Sequence, residues 1–228
     1  MGDVARLAEV LAVALALAAC GGVSQEQLLR SQREYDLAVG LYGESDVAGA
    51  FEHLLAAIEL DPDNAEAHLL VGNLFMIHRQ DFARAERHMR EALRAHGSSE
   101  SRAGLPSEAR NALGVLYNNA ERYEEAAAIL EEASSDLMNR HQPLTWANLS
   151  WAYRELGRLD DALLVARQAV QRDPGHCVAL FRLAEVHVAL DQRDAAQQFG
   201  CEVGQARDRH VGALGQGVAD AQRAVVGN

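Results

Sequence analysis

Apolar residues recur at helical spacing along most of the chain, and the pattern is clearest between residues 146 and 174. Trp146 and Tyr153 lie seven positions apart with an apolar residue between them, which predicts one amphipathic helix. A second apolar stripe follows a glycine-containing turn and ends at an Asp-Pro pair. Small residues at Ser150 and Ala162 allow the two helices to approach each other closely. This segment therefore predicts a helical hairpin.

The hairpin pattern occurs five times. The small residues that mark the first and second helices of each hairpin are Ala38, Gly72, Gly114, Ser150 and Ala184, and Ala50, Ala85, Ala126, Ala162 and Ala196. Their spacing is close to the period of roughly 34 residues of the tetratricopeptide repeat, which the pattern resembles. We expect an all-α, right-handed superhelical solenoid of about five to six helical hairpins.

Two departures from the regular spacing are predicted to be local. One extra residue falls near Arg79-Gln80 in the second hairpin. A longer insertion runs from His96 to Glu108, where Gly, Ser and Pro indicate a loop. Within it, Ser107 is predicted to cap the N-terminus of the following helix.

The first residues are predicted to lie outside the solenoid. Val10 to Ala19 is an uncharged apolar run, too short to span a bilayer but typical of a signal-peptide core. The last three residues of this run together with the next residue, Leu-Ala-Ala-Cys ending at Cys20, resemble a bacterial lipobox, which implies acylation of Cys20. The alternative is a buried helix with an inert cysteine.

This interpretation divides the chain into four segments. We expect a lipoprotein signal peptide over 1–19, a lipidated tether over 20–25 and the solenoid over 26–208. Residues 209–228 form either a C-terminal capping helix or a tail.

Composition limits the classes of partner and of chemistry. The net charge of −12 disfavours nucleic acid as a partner, because binding to phosphates requires clustered positive charge. The nine histidines form no metal-binding motif, and no nucleophile elbow, phosphate loop or dinucleotide fingerprint is present. We expect no enzyme activity, cofactor, metal or small-molecule substrate. Cys177 and Cys201 either form a disulfide or remain two buried thiols.

Binding is expected on the concave face, which first helices line in tetratricopeptide-repeat proteins. The predicted partner-binding residues are Tyr35, Val39, Tyr42, Leu69, Asn73, Met76, Ile77, Asn111, Trp151 and Phe181. The apolar members in the first two hairpins form one predicted surface patch, which consists of Tyr35, Tyr42, Leu69, Met76 and Ile77. Trp151 and Phe181 form another. The alternative is that residues 27–29 and the C-terminal tail cover these patches. A carboxylate clamp of the chaperone-binding type is disfavoured, because Tyr35 and Leu69 replace the required cations.

A lipobox followed by these repeats resembles the secretin pilotins of type IV pilus systems. The third and fourth repeats, NALGVLYNNAERYEEA and DLMNRHQPLTWANLSWAYRELGRLDDA, carry the more specific similarity. The resemblance implies an outer-membrane lipoprotein, anchored on the periplasmic face through Cys20, that binds secretin subunits and promotes their assembly for pilus biogenesis and twitching or social gliding motility. The alternatives are a scaffold for another envelope complex (barrel assembly or polysaccharide export), a cytosolic adaptor and, more distantly, a cell-wall enzyme.

Overall fold

The computed structural model describes residues 23–96 and 104–192. These residues form nine α-helices and no strand, which confirms the all-α prediction. The helices are α1 Gln25–Gly43, α2 Val47–Leu60, α3 Ala65–Leu74, α4 Phe82–His96, α5 Leu105–Asn119, α6 Tyr123–Ser135, α7 Gln142–Glu155, α8 Leu159–Arg172 and α9 Cys177–Ala189. A π-helical turn, Phe75–Arg79, continues α3. None of these helices is both long and apolar enough to cross a bilayer.

Consecutive helices pair as antiparallel hairpins, α1 with α2, α3 with α4, α5 with α6 and α7 with α8. First helices also contact the first helix of the next hairpin, α5 with α7, α7 with α9 and, less extensively, α3 with α5. Among the described helices, second helices make no comparable contacts with one another. The stack is therefore closer on the side of the first helices, which makes that side concave.

The predicted small residues lie where helices cross. All described members of both marker sets are buried. A Cβ on Gly114 would lie 2.3 Å from Cγ of Leu130, so only glycine fits this crossing. At the equivalent crossing of α7 and α8, the Ser150 hydroxyl donates to the Ala162 carbonyl at 3.0 Å. The predicted repeat frame is thereby confirmed as far as Ala184, and Ala196 lies outside the described residues.

The extra residue of the second hairpin is taken up by the π-turn. Its marker residues, Gly72 and Ala85, are 13 positions apart, against 12 in each of the other described hairpins. The Asp81 N–H donates to the Phe75 carbonyl at 3.1 Å, and Gln80 adopts the left-handed conformation with φ 52°. A π-turn accommodates one additional residue without ending the helix.

Two buried clusters form most of the core. The smaller cluster joins α1, α2 and α3 and includes Phe51, Leu54 and Leu74. The larger cluster extends from α3 to α9 and includes Leu113 and Leu130. Each hairpin thus buries its apolar face against its neighbours, as expected of a solenoid.

The predicted helix cap at Ser107 is wrong. Helix α5 already begins at Leu105, after Gly104 in the left-handed region with φ 94°. Ser107 is buried in the first turn, and its hydroxyl donates to the Asp136 carboxylate. This bond lowers the pKa of Asp136 and joins α5 to the connection between α6 and α7.

Residues 1–22, 97–103 and 193–228 are outside the described ranges. The signal peptide, the acylation of Cys20 and the nature of the C-terminal segment therefore stay predictions.

Candidate functional site

Three predicted binding residues of α1 lie on one face of that helix. Tyr35, Val39 and Tyr42 are partly buried and pack against the smaller core cluster. The Tyr42 hydroxyl lies 3.4 Å from Nε2 of His78, and the two rings meet edge to face at 5.9 Å between centroids. Burial raises the pKa of Tyr42. The π-turn thus brings a histidine of the second hairpin to the concave face of the first.

The predicted residues of the second hairpin divide into two groups. Asn73 and Ile77 are partly buried. Leu69 and Met76 are only 8 % and 9 % exposed and belong to the larger core cluster. The prediction that these two are surface residues is therefore wrong, because the larger core cluster, which joins the second hairpin to those that follow, buries them. Patch one is defined as Tyr35, Val39, Tyr42, Asn73, Ile77 and His78.

Asn111 takes part in a chain of amides between α5 and α7. Its Oδ1 accepts a hydrogen bond from Nδ2 of Asn148 at 3.0 Å. Nδ2 of Asn118 donates to the backbone carbonyl of Asn148, also at 3.0 Å. These bonds fix the relative position of the two helices, so Asn111 contributes to the shape of the concave face as well as to its polarity.

Trp151 and Phe181 both lie close to an arginine. The Arg182 guanidinium carbon is 4.2 Å from the centroid of the Trp151 ring and 5.3 Å from that of Phe181. Such cation–π contacts are strongest when the cation is desolvated. Arg182 is only 8 % exposed, and burial lowers its pKa. Patch two is defined as these three residues together with Arg154 and Glu185.

Carboxylates balance the charges of patch two. Glu185 accepts from Nη1 of Arg182 at 2.7 Å and lies 3.2 Å from Nη1 of Arg154, while Glu155 lies 2.5 Å from Nη2 of Arg154. Within the described part of the chain, the buried Nε atoms of both arginines lack an acceptor. Patch two therefore presents two aromatic rings beside a nearly neutral cluster of charges.

Neither His78 nor Arg182 was predicted to be part of these surfaces. The sequence could have indicated Arg182, because this charged residue interrupts the apolar residues of α9 at a position that the repeat pattern predicts to be buried. For His78 the signal was the extra residue near Arg79-Gln80, but the spacing did not show that a π-turn would take it up and direct His78 toward Tyr42.

The remaining sequence predictions concern the two cysteines and the expected lack of a metal site. Cys177 is partly buried at the start of α9, whereas Cys201 lies outside the described residues, so their pairing stays a prediction. In the ranges 23–96 and 104–192, no cluster of three histidine, cysteine or acidic side chains has the arrangement of a metal site. The fold itself is one that presents surfaces for protein–protein interaction.

Comparison with protein families identifies the repeats. Two models of the tetratricopeptide repeat match the chain, one over residues 35–100 and 77–136 and the other over residues 153–199. No curated protein sequence matches this chain significantly.

Solved structures of tetratricopeptide-repeat proteins share the fold. PilF of Pseudomonas aeruginosa is 17 % identical, with a TM-score of 0.67 over 90 % of this chain and 95 % of that one. PilW, a widely conserved type IV pilus biogenesis factor, is 19 % identical, with a TM-score of 0.68 over 84 % and 86 %. YrrB, which has an unusual peptide-binding site, is 20 % identical, with a TM-score of 0.56 over 83 % and 90 %. At these identities the likeness establishes the fold.

Proposed function

Because the chain is a tetratricopeptide-repeat solenoid, we propose that it is a non-enzymatic outer-membrane lipoprotein of the pilotin type. In this proposal the lipid on Cys20 holds the solenoid on the periplasmic face of the outer membrane. The concave face then binds subunits of the secretin pore and promotes their assembly, which supports type IV pilus biogenesis and motility.

One combination of observations carries the proposal. A sequence that resembles a lipobox precedes the first repeat, and the solenoid that follows has the fold of PilW, a type IV pilus biogenesis factor, over most of both chains. The fold of PilF is matched over an even larger share of this chain.

Patch one supports the proposed binding step. Its aromatic and aliphatic side chains are partly exposed on helices that hydrogen bonds and core packing already hold in place. A pre-formed surface loses little conformational entropy on binding, so more of the contact energy remains as affinity. Tyrosine in particular adds large contact area with few rotatable bonds.

The test uses charge substitutions in patch one. We expect Tyr35→Asp and Ile77→Asp to abolish secretin multimers in membranes of the native host, because each places a carboxylate within an apolar contact. The matched control is Leu164→Asp, which changes an exposed leucine on a second helix, away from the concave face. Circular dichroism of each variant checks that helical content is retained. Normal multimers in both patch-one variants would contradict this assignment of the groove.

Two measurements separate the alternatives. Co-purification from detergent-solubilised membranes distinguishes secretin subunits from the components of another envelope complex, such as barrel assembly or polysaccharide export. The intact mass of the protein from its native host shows whether Cys20 is the acylated first residue. A mass that retains Met1 would favour a cytosolic adaptor.

A further inference from the structure

The antiparallel hairpins give the solenoid two different edges. All first helices begin at one edge, which also contains the connections between hairpins at residues 61–64, 136–141 and 173–176. Residue 23, where the described chain starts, lies at this edge, which we call the loop edge. The opposite edge, the turn edge, contains the short turns within hairpins at residues 44–46, 80–81, 120–122 and 156–158.

Exposed apolar side chains are concentrated at the loop edge. Nine large apolar side chains are exposed within the described ranges, and five of them lie just before α1, in its first turns or in the connection between α6 and α7. These five are Val23, Leu28, Leu29, Leu137 and Met138. Only Val188 is close to the turn edge. The most exposed is Leu137, at 96 %.

The connection that carries Leu137 and Met138 is held firmly in place. The Met138 N–H donates to Oδ1 of Asp136 at 2.9 Å. Nδ2 of Asn139 donates to the Ala133 carbonyl at 2.9 Å and to the Thr145 hydroxyl at 3.0 Å. The backbone is thus fixed on both sides of two apolar side chains that face solvent. Clustered exposed apolar residues commonly mark a contact surface.

We propose that the loop edge lies against the phospholipid bilayer, with Leu137 and Met138 inserted at the boundary between head groups and acyl chains. This inference rests on the proposed acylation of Cys20. Only two residues separate Cys20 from Val23, and at about 3.5 Å per residue they keep the start of α1 next to the bilayer. Since consecutive helices alternate in direction, every first helix starts at this edge, and the connection at 136–141, which leads into α7, lies there too.

Because the tether already holds the protein at the bilayer, a small apolar contact is sufficient to keep the loop edge inserted. A lipid anchor raises the effective concentration of the loop edge at the bilayer, so insertion needs only a modest gain to be populated. The net charge of −12 argues against electrostatic attraction to anionic lipids. The contact should therefore persist when the salt concentration is raised.

Depth-dependent fluorescence quenching tests this arrangement on the full-length acylated protein. Cys177→Ser and Cys201→Ser leave the acylated Cys20, and either Leu137→Cys or Glu121→Cys then carries a bimane label. Glu121 is exposed at the turn edge and serves as the matched position. The vesicles contain phosphatidylethanolamine, phosphatidylglycerol and a phospholipid with a nitroxide on its acyl chain. We expect severalfold stronger quenching at position 137 than at position 121, unchanged by high salt.

Two readouts separate this inference from the proposed anchoring. Flotation with the vesicles reports the anchor, and quenching reports the position of the loop edge. Vesicle-bound protein with equal quenching at both positions would overturn the inference alone, including the case in which a protein covers Leu137. Failure to float, with an unacylated Cys20, would overturn the inference together with the anchoring.

A second readout uses trypsin cleavage after Arg140. We expect cleavage of the vesicle-bound protein to be roughly tenfold slower than in detergent, because insertion of the two side chains shields the connection. The double variant L137S/M138S should lose this protection while remaining bound through its lipid. Equal protection in the double variant would contradict the proposed insertion.

Discussion

The contact between the first two hairpins differs in chemistry from those that follow. At this first joint, Phe51 of α2 meets Phe75 edge to face at 5.0 Å between ring centroids. Phe75 in turn stacks on His88 of α4 at 5.7 Å, and Nδ1 of His88 lies 3.1 Å from Nδ1 of His68. Burial lowers the pKa of both histidines, that of His88 to about 4. The first joint thus centres on the Phe51–Phe75 ring pair, with the Arg79 guanidinium 5.5 Å from the Phe51 centroid and the neutral imidazoles of the second hairpin behind Phe75.

The second joint, between the second and third hairpins, uses charges. The Tyr117 hydroxyl donates to Glu86 at 3.0 Å, and Arg122 lies 4.3 Å from the centroid of the Tyr117 ring. Nη1 of Arg122 also donates to Glu86, at 2.6 Å. The arginine bond, with those from Arg90 and Tyr117, lowers the pKa of Glu86 to about 2.

The same set of side chains recurs at the third joint. Tyr153 donates to Glu131 at 2.6 Å, and Arg158 lies 4.1 Å from the centroid of the Tyr153 ring. One repeat fold therefore accepts two kinds of joint, and they should respond differently to truncation, to charge removal and to acid.

Phe75→Ala should have the largest effect. It removes the ring that joins Phe51 to His88, and we expect a loss of about 3 kcal/mol in the free energy of unfolding. Urea denaturation followed by circular dichroism measures it. Phe75→Leu is the control, because it keeps most of the apolar volume and should lose less. A Phe75→Leu variant as stable as the unaltered protein would show that ring contacts do not stabilise this joint.

Glu86→Gln should have the second-largest effect on the free energy of unfolding. It leaves Arg122 and Arg90 without their shared carboxylate, whose side chain is only 19 % exposed, and we expect a loss of about 2 kcal/mol. The same denaturation at low and high salt measures it. Glu124→Gln, on the exposed face of α6, should be nearly neutral. A neutral Glu86→Gln would mean that the tyrosine and core contacts alone hold the second joint.

Acid should weaken the first joint before the second. His88 binds a proton near pH 6.5 in the unfolded chain but only near pH 4 in the fold, so its contribution is complete above pH 6.5 and is lost as the pH falls toward 4. For Glu86 the loss begins below about pH 4.5 and continues toward pH 2. Since His88 is partly exposed, we expect about 1 kcal/mol of destabilisation between pH 6.5 and 4.5.

Denaturation midpoints at several pH values measure this effect. His88→Gln keeps a polar side chain that does not titrate, so it should lose less stability over the same interval. A variant with the pH profile of the unaltered protein would assign the effect to other groups.

Glu131→Gln should have the smallest effect. Its side chain is 51 % exposed, so solvent screens the third joint more than the second, and we expect a loss below about 1 kcal/mol. A direct comparison of the Glu131→Gln and Glu86→Gln denaturation curves measures the difference. Equal losses would show that burial does not separate the two joints.

Contacts between the two helices of one hairpin were predictable from the sequence, and contacts between hairpins were not. Gly114 and Ser150 follow from helical spacing and the need for close approach, and the structure buries both. The Glu86–Tyr117 contact joins residues that no local pattern relates. Leu69 was predicted to be exposed because one hairpin considered alone leaves it uncovered. The cap at Ser107 failed because a side chain 29 positions away binds its hydroxyl.

The π-turn at Phe75–Arg79 shows how this architecture tolerates a change of length. In a β-sheet, one added residue reverses the facing of every side chain beyond it, unless a bulge absorbs the slip. In this protein the π-turn absorbs the added residue, so the repeat pattern continues in register after a single turn. Ala85 is therefore buried at the same kind of helix crossing as Ala126 and Ala162. A gene encoding such a stack can therefore gain a codon between two helices, and thereby redirect one side chain in a groove, without losing the fold.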